Sequence, residues 1–245
     1  MTPFDLSPTE LDVVWRALRF GELPLIIDVP SPGATHTERV ALECRVWTDL
    51  VTRELADDHG RPHWRLADRL ETIARRTRAL ELRVFGADAT RAILATRGRR
   101  NVLGVLRDRF TVSSAPATAK AGTLLGLLPE VPPGQGHSVS VDTSLFAAAA
   151  RAAEPHDQLR RHGVSTDDAR TLLAMATGSV RIAQIVAETR DANGRAVRSR
   201  TVSVYDTPSG RYRAIRTVTS ATDHLTVTPA TTSSLADALA RLTPA

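Results

Sequence analysis

Two pairs of histidines have spacings that could bind a metal ion. His59 lies four residues before His63, and His156 lies six residues before His162. A helix would bring the first pair to one face, but a glycine and a proline between them interrupt any helix there. The second pair has no cysteine or third ligand nearby, whereas a zinc site takes three or four protein ligands. We therefore expect neither a metal ion nor another cofactor.

The other reactive side chains also have structural explanations. Cys44, the only cysteine, is in helical register with Val40, Trp47 and Val51, so we expect a buried core thiol rather than a nucleophile. Acidic pairs such as Asp167-Asp168 come at predicted helix ends, where they complement the helix dipole. No nucleophile elbow, Walker loop or dinucleotide-binding motif occurs in the sequence. We predict that this protein is not an enzyme.

The clearest structural pattern lies between residues 77 and 113, where apolar and polar residues alternate. Leu80 and Leu82, for example, flank Glu81, and short turn sequences separate three further runs of this kind. This pattern predicts a four-strand antiparallel meander. A second meander is predicted over residues 180–228. We therefore predict an α+β fold with a central antiparallel β-sheet built from both meanders, in two halves with weak internal symmetry.

Helical sequence precedes and follows each meander. Capping boxes at Ser7 and Thr35 each begin a helix. A third helix is predicted over residues 63–75, with Trp64 facing the core. In the second half, helices are predicted to begin after Asp142, Pro155, Ser165 and Thr228. These helices are expected to cover the sheet.

Prolines and glycines concentrate in residues 129–137, after a helix predicted over residues 116–128. We interpret this segment as a linker. It separates an N-terminal half, residues 1–128, from a C-terminal half, residues 138–245. Neither meander has enough helices of its own to cover both faces of a sheet. We therefore expect residues 1–245 to form one domain.

The positive charge is unevenly distributed. The formal net charge is +5, yet residues 61–109 alone carry +8. One alternative is therefore a basic nucleic-acid-binding or regulatory module that uses Arg97, Arg99 and Arg100. Single-stranded nucleic acid also requires stacking aromatic residues, which are few in this region, so we do not expect a nucleic-acid partner. The sequence has no signal peptide and no apolar window long enough to span a membrane, so we expect a cytoplasmic location.

A binding function would depend on the surface of the sheet. Several strands are apolar on both faces, so either helices cover both faces or one face remains open to a partner. An interaction site should combine apolar residues with a charged rim. Six residues meet this description, four around the first turn of the first meander and two at the start of the second. They are our candidates for partner binding: Phe85, Asp88, Arg91, Ile93, Val180 and Ile182.

Several sequence motifs resemble those of one known family. Residues 23–39, with the sequence LPLIIDVPSPGATHTER, closely resemble the N-terminal signature of the EspG family, which is associated with ESX secretion. Further similarity lies in Trp15, in residues 97–101, in residues 127–129 with the following linker, in residues 206–212 and in residues 227–230.

The resemblance implies an actinobacterial cytosolic chaperone of type VII secretion. It implies a central antiparallel sheet flanked by two helical bundles, with halves related by a quasi-twofold axis. By this resemblance, the protein is similar to mycobacterial chaperones that bind the helical tip of the PPE subunit in PE-PPE heterodimers. The expected partner is therefore a helical ESX substrate, either PPE-like or a PE-PPE-like heterodimer, while another helical client and a homodimer stay open. In the family a long loop between early strands contacts the client, whereas here residues 85–90 form only a tight turn.

Overall fold

The computed structural model describes residues 2–116, 121–191 and 193–242. Among these residues, eleven strands form one antiparallel sheet. The strands are β1 (Phe4–Leu6), β2 (Arg78–Phe85), β3 (Thr90–Arg97), β4 (Arg100–Leu106), β5 (Phe110–Ala115), β6 (Val139–Asp142), β7 (Arg181–Arg190), β8 (Ala196–Arg198), β9 (Val202–Thr207), β10 (Gly210–Val218) and β11 (Asp223–Pro229). The helices are α1 (Pro8–Ala17), α2 (His36–Thr52), α3 (Trp64–Ala74), α4 (Ala121–Leu125), α5 (Thr143–Ala149), α6 (Pro155–Arg161), α7 (Thr166–Ala176) and α8 (Thr232–Ala240), with a 3-10 helix at Leu25–Ile27.

The two halves of the chain have the same topology. The strand order is β1-β5-β4-β3-β2-β7-β9-β10-β11-β6, and β8 also pairs with β7. The antiparallel pair β2–β7 joins the halves at the centre, from Arg78 opposite Thr189 to Phe85 opposite Ile182. In each half the chain runs through a short edge strand, three helices, a meander and one more helix. The predicted fold class, including the pseudo-twofold repeat, is confirmed.

Helices cover the two faces of the sheet differently. Residues directly opposite each other on paired strands lie on the same face, so the strand register assigns each residue to a face. On the first face, α1 to α3 pack on the N-terminal meander around Ile93, and α5 to α7 pack on the C-terminal meander around Tyr212. On the second face, α4 and α8 pack on the centre of the sheet around Leu82 and Ile185. Strand β3 is thus covered on both faces.

The proline- and glycine-rich segment is bound to the C-terminal half. The backbone nitrogen of Arg211 donates to the carbonyl oxygen of Pro132 at 2.7 Å, and the nitrogen of Gly134 donates to the carbonyl oxygen of Arg211 at 2.9 Å. The hydroxyl of Tyr212 donates to the carbonyl oxygen of Gln135 at 2.9 Å. A linker held by these hydrogen bonds is a packed part of the structure rather than a flexible tether.

The sequence prediction chose the wrong face of α2. Val46 and Leu50 are buried, whereas Cys44 is exposed and Val40 is 45 % exposed. The helix is rotated because Arg39 turns inward and donates to the buried carboxylate of Asp12 at 2.7 Å. The prediction of a buried core thiol at Cys44 is therefore wrong.

Trp64, predicted to face the core, is 68 % exposed at the first position of α3. It stacks on the ring of His63 and lies under the guanidinium of Arg65. The apolar surface of Trp64 is thus partly covered by its two sequence neighbours rather than by the core.

Several element boundaries also differ from prediction. The short edge strands β1 and β6 were not predicted. The last helix begins after the cap residue Thr231 rather than near Thr228, because β11 continues to Pro229. Only α4 lies within the helix predicted over residues 116–128, of which residues 117–120 are outside the described residues. By contrast, the capping boxes at Ser7 and Thr35 are confirmed.

Candidate partner-binding surface

The centre of the first face is not covered by helices. Here β2 and β7 lie side by side, and alternate residues of each strand point to this face. From the middle of the pair to the β2–β3 turn, these include Arg83, Phe85, Ile182, Gln184 and Val186. Arg83, Phe85 and Gln184 are exposed, and Ile182 and Val186 are half-buried. We call these five residues the central strip. The structure therefore combines the two alternatives left by the sequence, because β3 is covered on both faces whereas the central pair is open on one.

The central strip lies between the two helical layers. On one side, the 3-10 helix packs on β3, and the guanidinium of Arg91 donates to the carbonyl oxygen of Asp28 at 2.8 Å. On the other side, Tyr205 lies opposite Ile182 and packs against the core formed with α5 to α7. The covered strands β3 and β9 are three strand spacings apart, about 14 Å. A helix with a diameter of about 10 Å could occupy this groove.

Candidate residues from both halves come together at one end of the strip. Phe85, 42 % exposed, is directly opposite Ile182, and Val180, 71 % exposed, immediately precedes β7. A Cβ atom on Gly86 would lie 3.6 Å from the carbonyl oxygen of Val180, so the β2–β3 turn adjoins the start of β7. This end of the groove is therefore an exposed apolar patch, which we call the apolar end and define as Phe85, Val180 and Ile182.

An ion pair borders the apolar end. The guanidinium of Arg181 lies 3.1 Å from the exposed carboxylate of Asp88, which joins the β2–β3 turn to β7. Arg181 also lies 3.4 Å from the buried carboxylate of Asp206, which in turn binds Arg211 at 2.6 Å. Asp88, one of the charged residues predicted at the rim, is thus linked through Arg181 to a buried ion pair.

Ile93 must be removed from the candidate residues. Its side chain is fully buried in the core that the sheet forms with α1 to α3. Ile93 lies opposite Glu81 on the first face, but one strand further from the centre, where the helices begin to cover the sheet. The alternation of apolar and polar residues correctly predicted the face on which Ile93 lies. It could not indicate how far the helices extend across that face.

Arg83 was not among the predicted site residues. It is exposed in the middle of the central strip and lies directly opposite Arg91 on β3. Within the described part of the chain, Arg83 makes no hydrogen bond or ion pair, although its charge favours the ionised form of Glu81 two residues away. The period-two alternation with Phe85 was the sequence signal that could have identified it.

A buried charge cluster closes the other end of the groove. The Arg76 guanidinium lies 2.6 Å from the Glu188 carboxylate, and Arg198 on β8 lies 3.4 Å from the carboxylates of both Glu81 and Glu188. Burial raises the pKa of Glu81, an effect that the charge of Arg198 opposes, and burial lowers the pKa of Arg76. A cavity of about 330 Å³ between this cluster and Leu25 continues the groove under β8. The two ends of the groove therefore differ chemically, one apolar and one ionic.

Two of the three arginines considered for nucleic-acid binding are paired with acidic residues. Arg97 lies 2.7 Å from the carboxylate of Glu71, and Arg100 is paired with Asp68. Arg99 is exposed beside a cavity of about 810 Å³ on the second face, between α4, α8 and the sheet. No aromatic residue lines this cavity among the described residues, so the arrangement lacks a stacking platform.

The part of the chain that the structure describes contains neither a metal-binding cluster nor a membrane-spanning helix. No group of three or more His, Cys, Asp or Glu side chains there is arranged to hold a metal ion. None of the helices there combines the length and apolar composition needed to cross a membrane. His63, one of the histidines considered as a ligand, instead caps α3 by accepting from the backbone nitrogen of Arg65 at 3.1 Å.

Comparison with known proteins gives consistent matches. The model of the EspG family matches residues 7–241. The ESX-1 secretion-associated protein EspG1 of Mycobacterium marinum is 25 % identical over 206 residues, which cover 81 % of this chain and 72 % of that protein. The type VII secretion system chaperone EspG5 of Mycobacterium tuberculosis, solved in complex with a PE25-PPE41 dimer, matches with a TM-score of 0.73 and 16 % identity. That match covers 99 % of this chain and 97 % of EspG5, and it establishes a common fold.

Proposed function

This chain belongs to the EspG family, and we propose that it is a chaperone of type VII (ESX) secretion that binds a helical client protein. The client is a PPE-like protein or a PE-PPE-like heterodimer, and the chaperone acts on it in the cytoplasm, before export. Support comes from EspG5, which shares the fold over nearly the whole chain and was solved with a PE25-PPE41 dimer.

The observation that carries the proposal is the apolar end of the groove. Most large apolar side chains of this protein are buried, whereas Phe85 and Val180 are 42 % and 71 % exposed beside each other. Exposed apolar residues with a polar rim are typical of protein interfaces. Fully burying one such side chain would contribute about 1.5–3 kcal/mol.

The shape of the surface favours a helical partner. The groove is about two uncovered strands wide, has helices on both sides and ends at the β2–β3 turn. An amphipathic helix can place an apolar stripe into such a groove. The Asp88–Arg181 ion pair joins the β2–β3 turn to the start of β7 and so fixes this end of the groove.

Co-expression tests this proposal directly. The chain would be expressed with each PE-PPE pair of the same genome and with the PE25-PPE41 dimer, and complexes would be isolated by size-exclusion chromatography. We expect at least one pair to co-elute with the wild type and not with the Phe85→Glu variant. Trp64→Glu, at an exposed residue far from the groove, is the matched control and should retain the client. Absence of any complex, or equal retention by Phe85→Glu, would contradict the proposal.

A further inference from the structure

Two arginines face each other across the β2–β3 pair, one in the groove and one at its border, without a carboxylate between them. Arg83 on β2 is directly opposite Arg91 on β3. Like charges at directly opposite positions destabilise an antiparallel pair. Within the described residues, neither guanidinium forms an ion pair with an acidic side chain. The free protein therefore has an uncompensated concentration of positive charge at this position.

The acidic residues nearest to this pair along β2 and the β2–β3 turn are already engaged, and Asp28 contacts Arg91 only through its backbone. Glu81 is bound by Arg198, and Asp88 is bound by Arg181. Arg91 donates only to the carbonyl oxygen of Asp28, which fixes its guanidinium beside the groove. Arg83 is exposed and its guanidinium has no hydrogen-bond partner in the described structure. Arg91 is thus already held in position, whereas the side chain of Arg83 can move to contact a ligand.

We propose that Arg83 and Arg91 together bind a carboxylate, the side chain of an Asp or Glu on the client helix. The inference rests on the proposed function, since it concerns the same groove. Guanidinium groups bind carboxylates through two parallel hydrogen bonds, and a pair of them favours a negatively charged group over a neutral one. The client's acidic residue would relieve the repulsion between the arginines, so this pair selects for an acidic client.

The geometry also defines where the acidic residue lies in the client. Arg83 and Phe85 are two residues apart on β2, so they are separated by about 7 Å along the groove. Residues three or four apart on a helix lie on one face about 5–6 Å apart. The client helix therefore carries an apolar residue that contacts Phe85, and an Asp or Glu one helical turn away that contacts Arg83.

Two designed helical hairpins provide the test. They share one apolar tip and differ only in having Glu or Lys one turn from it, and their dissociation constants would be measured by fluorescence anisotropy. We expect the Glu hairpin to bind the wild type at least about tenfold more tightly, the range expected of a charge-assisted hydrogen-bonded pair. The preference should be lost in Arg83→Glu, because the new carboxylate would lie directly opposite Arg91 and neutralise it. Arg99→Glu, an exposed arginine outside the groove, is the matched control and should keep the wild-type preference.

The possible outcomes separate this inference from the proposed function. Equal binding of both hairpins, a preference for Lys, or an unchanged preference in Arg83→Glu would overturn the inference while leaving the groove as the client site. Failure of both hairpins to bind, or binding of both that Phe85→Glu does not weaken, would overturn the proposed site as well. Circular dichroism melts would verify that each variant is folded.

Discussion

Phe85 at the end of β2 lies directly opposite Ile182 near the start of β7. The two residues are about a hundred positions apart in the chain and belong to different halves. Their pairing places exposed apolar side chains from both meanders at one end of an open groove. The proposed client site depends on this juxtaposition, which neither half could create alone.

Charged substitutions should separate the surface from the core. Phe85→Glu is expected to change the free energy of unfolding by less than about 1 kcal/mol, because the side chain is already in contact with water. Ile93→Glu, only one strand beyond the groove, should cost more than about 4 kcal/mol, because it buries an unpaired charge. Urea denaturation would measure both. Comparable destabilisation by the two substitutions would mean that Phe85 is covered in the free protein.

Ile182→Glu should affect both stability and client binding. Ile182 is half-buried between Phe85 and Tyr205, so we expect a modest loss of stability together with loss of client binding. Thermal melts and pull-down of a co-expressed helical client would be run side by side. Client binding that survives this change would place the interface elsewhere.

The orientation of α2 predicts a contrast between neighbouring positions. Leu50 is fully buried, and Leu50→Ala should destabilise the protein by about 2–5 kcal/mol. Cys44→Ala, on the exposed face of the same helix, should have an effect within about 0.5 kcal/mol. Trp47→Ala should fall between them, since Trp47 is half-buried and packs over Gly60. A larger loss of stability in Cys44→Ala than in Leu50→Ala would support the helical face predicted from the sequence instead.

The packed linker makes Gly134 irreplaceable. A Cβ atom at this position would lie 2.1 Å from the ring of Tyr212, which is fully buried. Gly134→Ala should therefore lower the melting temperature by several degrees. Gly122→Ala, in a helix where no atom lies within 4 Å of the added Cβ, is the matched control and should be neutral or slightly stabilising. Equal melting temperatures for Gly134→Ala and the wild type would show that the linker moves freely.

Whether the chain behaves as one domain can be examined at the same segment. We predict that the halves stay associated after proteolytic cleavage within residues 129–137, because β2 and β7 pair along eight residue positions. Gel filtration of the cleaved protein would measure this. Two fragments that separate and remain folded would contradict it.

Acid should weaken the contact between β11 and α5. Hydrogen bonds from Arg216 and Thr143 lower the pKa of Asp223 to about 2. Because the folded-state pKa lies below the unfolded value of about 3.9, this carboxylate stabilises the fold above pH 4 and loses that contribution as the pH falls towards 2. The side chain is exposed, so salt should reduce the effect. An NMR titration of Asp223 that gives a pKa near 4 would contradict this contact.

Sequence reasoning succeeded where a local pattern determines a local structure. Period-two alternation located eight strands, four in each predicted meander. Ser7 and Thr35 were recognised as helix caps because a capping box satisfies backbone donors within four residues. The resemblance of residues 23–39 to the EspG family is confirmed by the match to residues 7–241. That segment also contains the 3-10 helix, which borders the groove.

The errors share a different physical cause. Cys44 and Ile93 were misplaced because periodicity states which residues share a face, and not which neighbour covers that face. The inward turn of Arg39 depends on Asp12, which is distant in sequence. Similarly, alternation places Arg83 on the same face as Phe85, but its exposure in a groove becomes evident only when β2 and β7 are seen to be uncovered. Tertiary contacts decide all three cases, and one sequence does not contain them explicitly.

Photo-crosslinking from Phe85 would show directly whether the client occupies the groove. A photoreactive phenylalanine analogue would be introduced at Phe85 and, as a control, at the exposed Trp64, in chains co-expressed with a PE-PPE pair that co-elutes with the wild type. We predict that the analogue at position 85 crosslinks to the helical tip of the client and that the analogue at position 64 does not. Crosslinks from position 64 alone, or none from position 85 within an intact complex, would show that the client binds outside the groove.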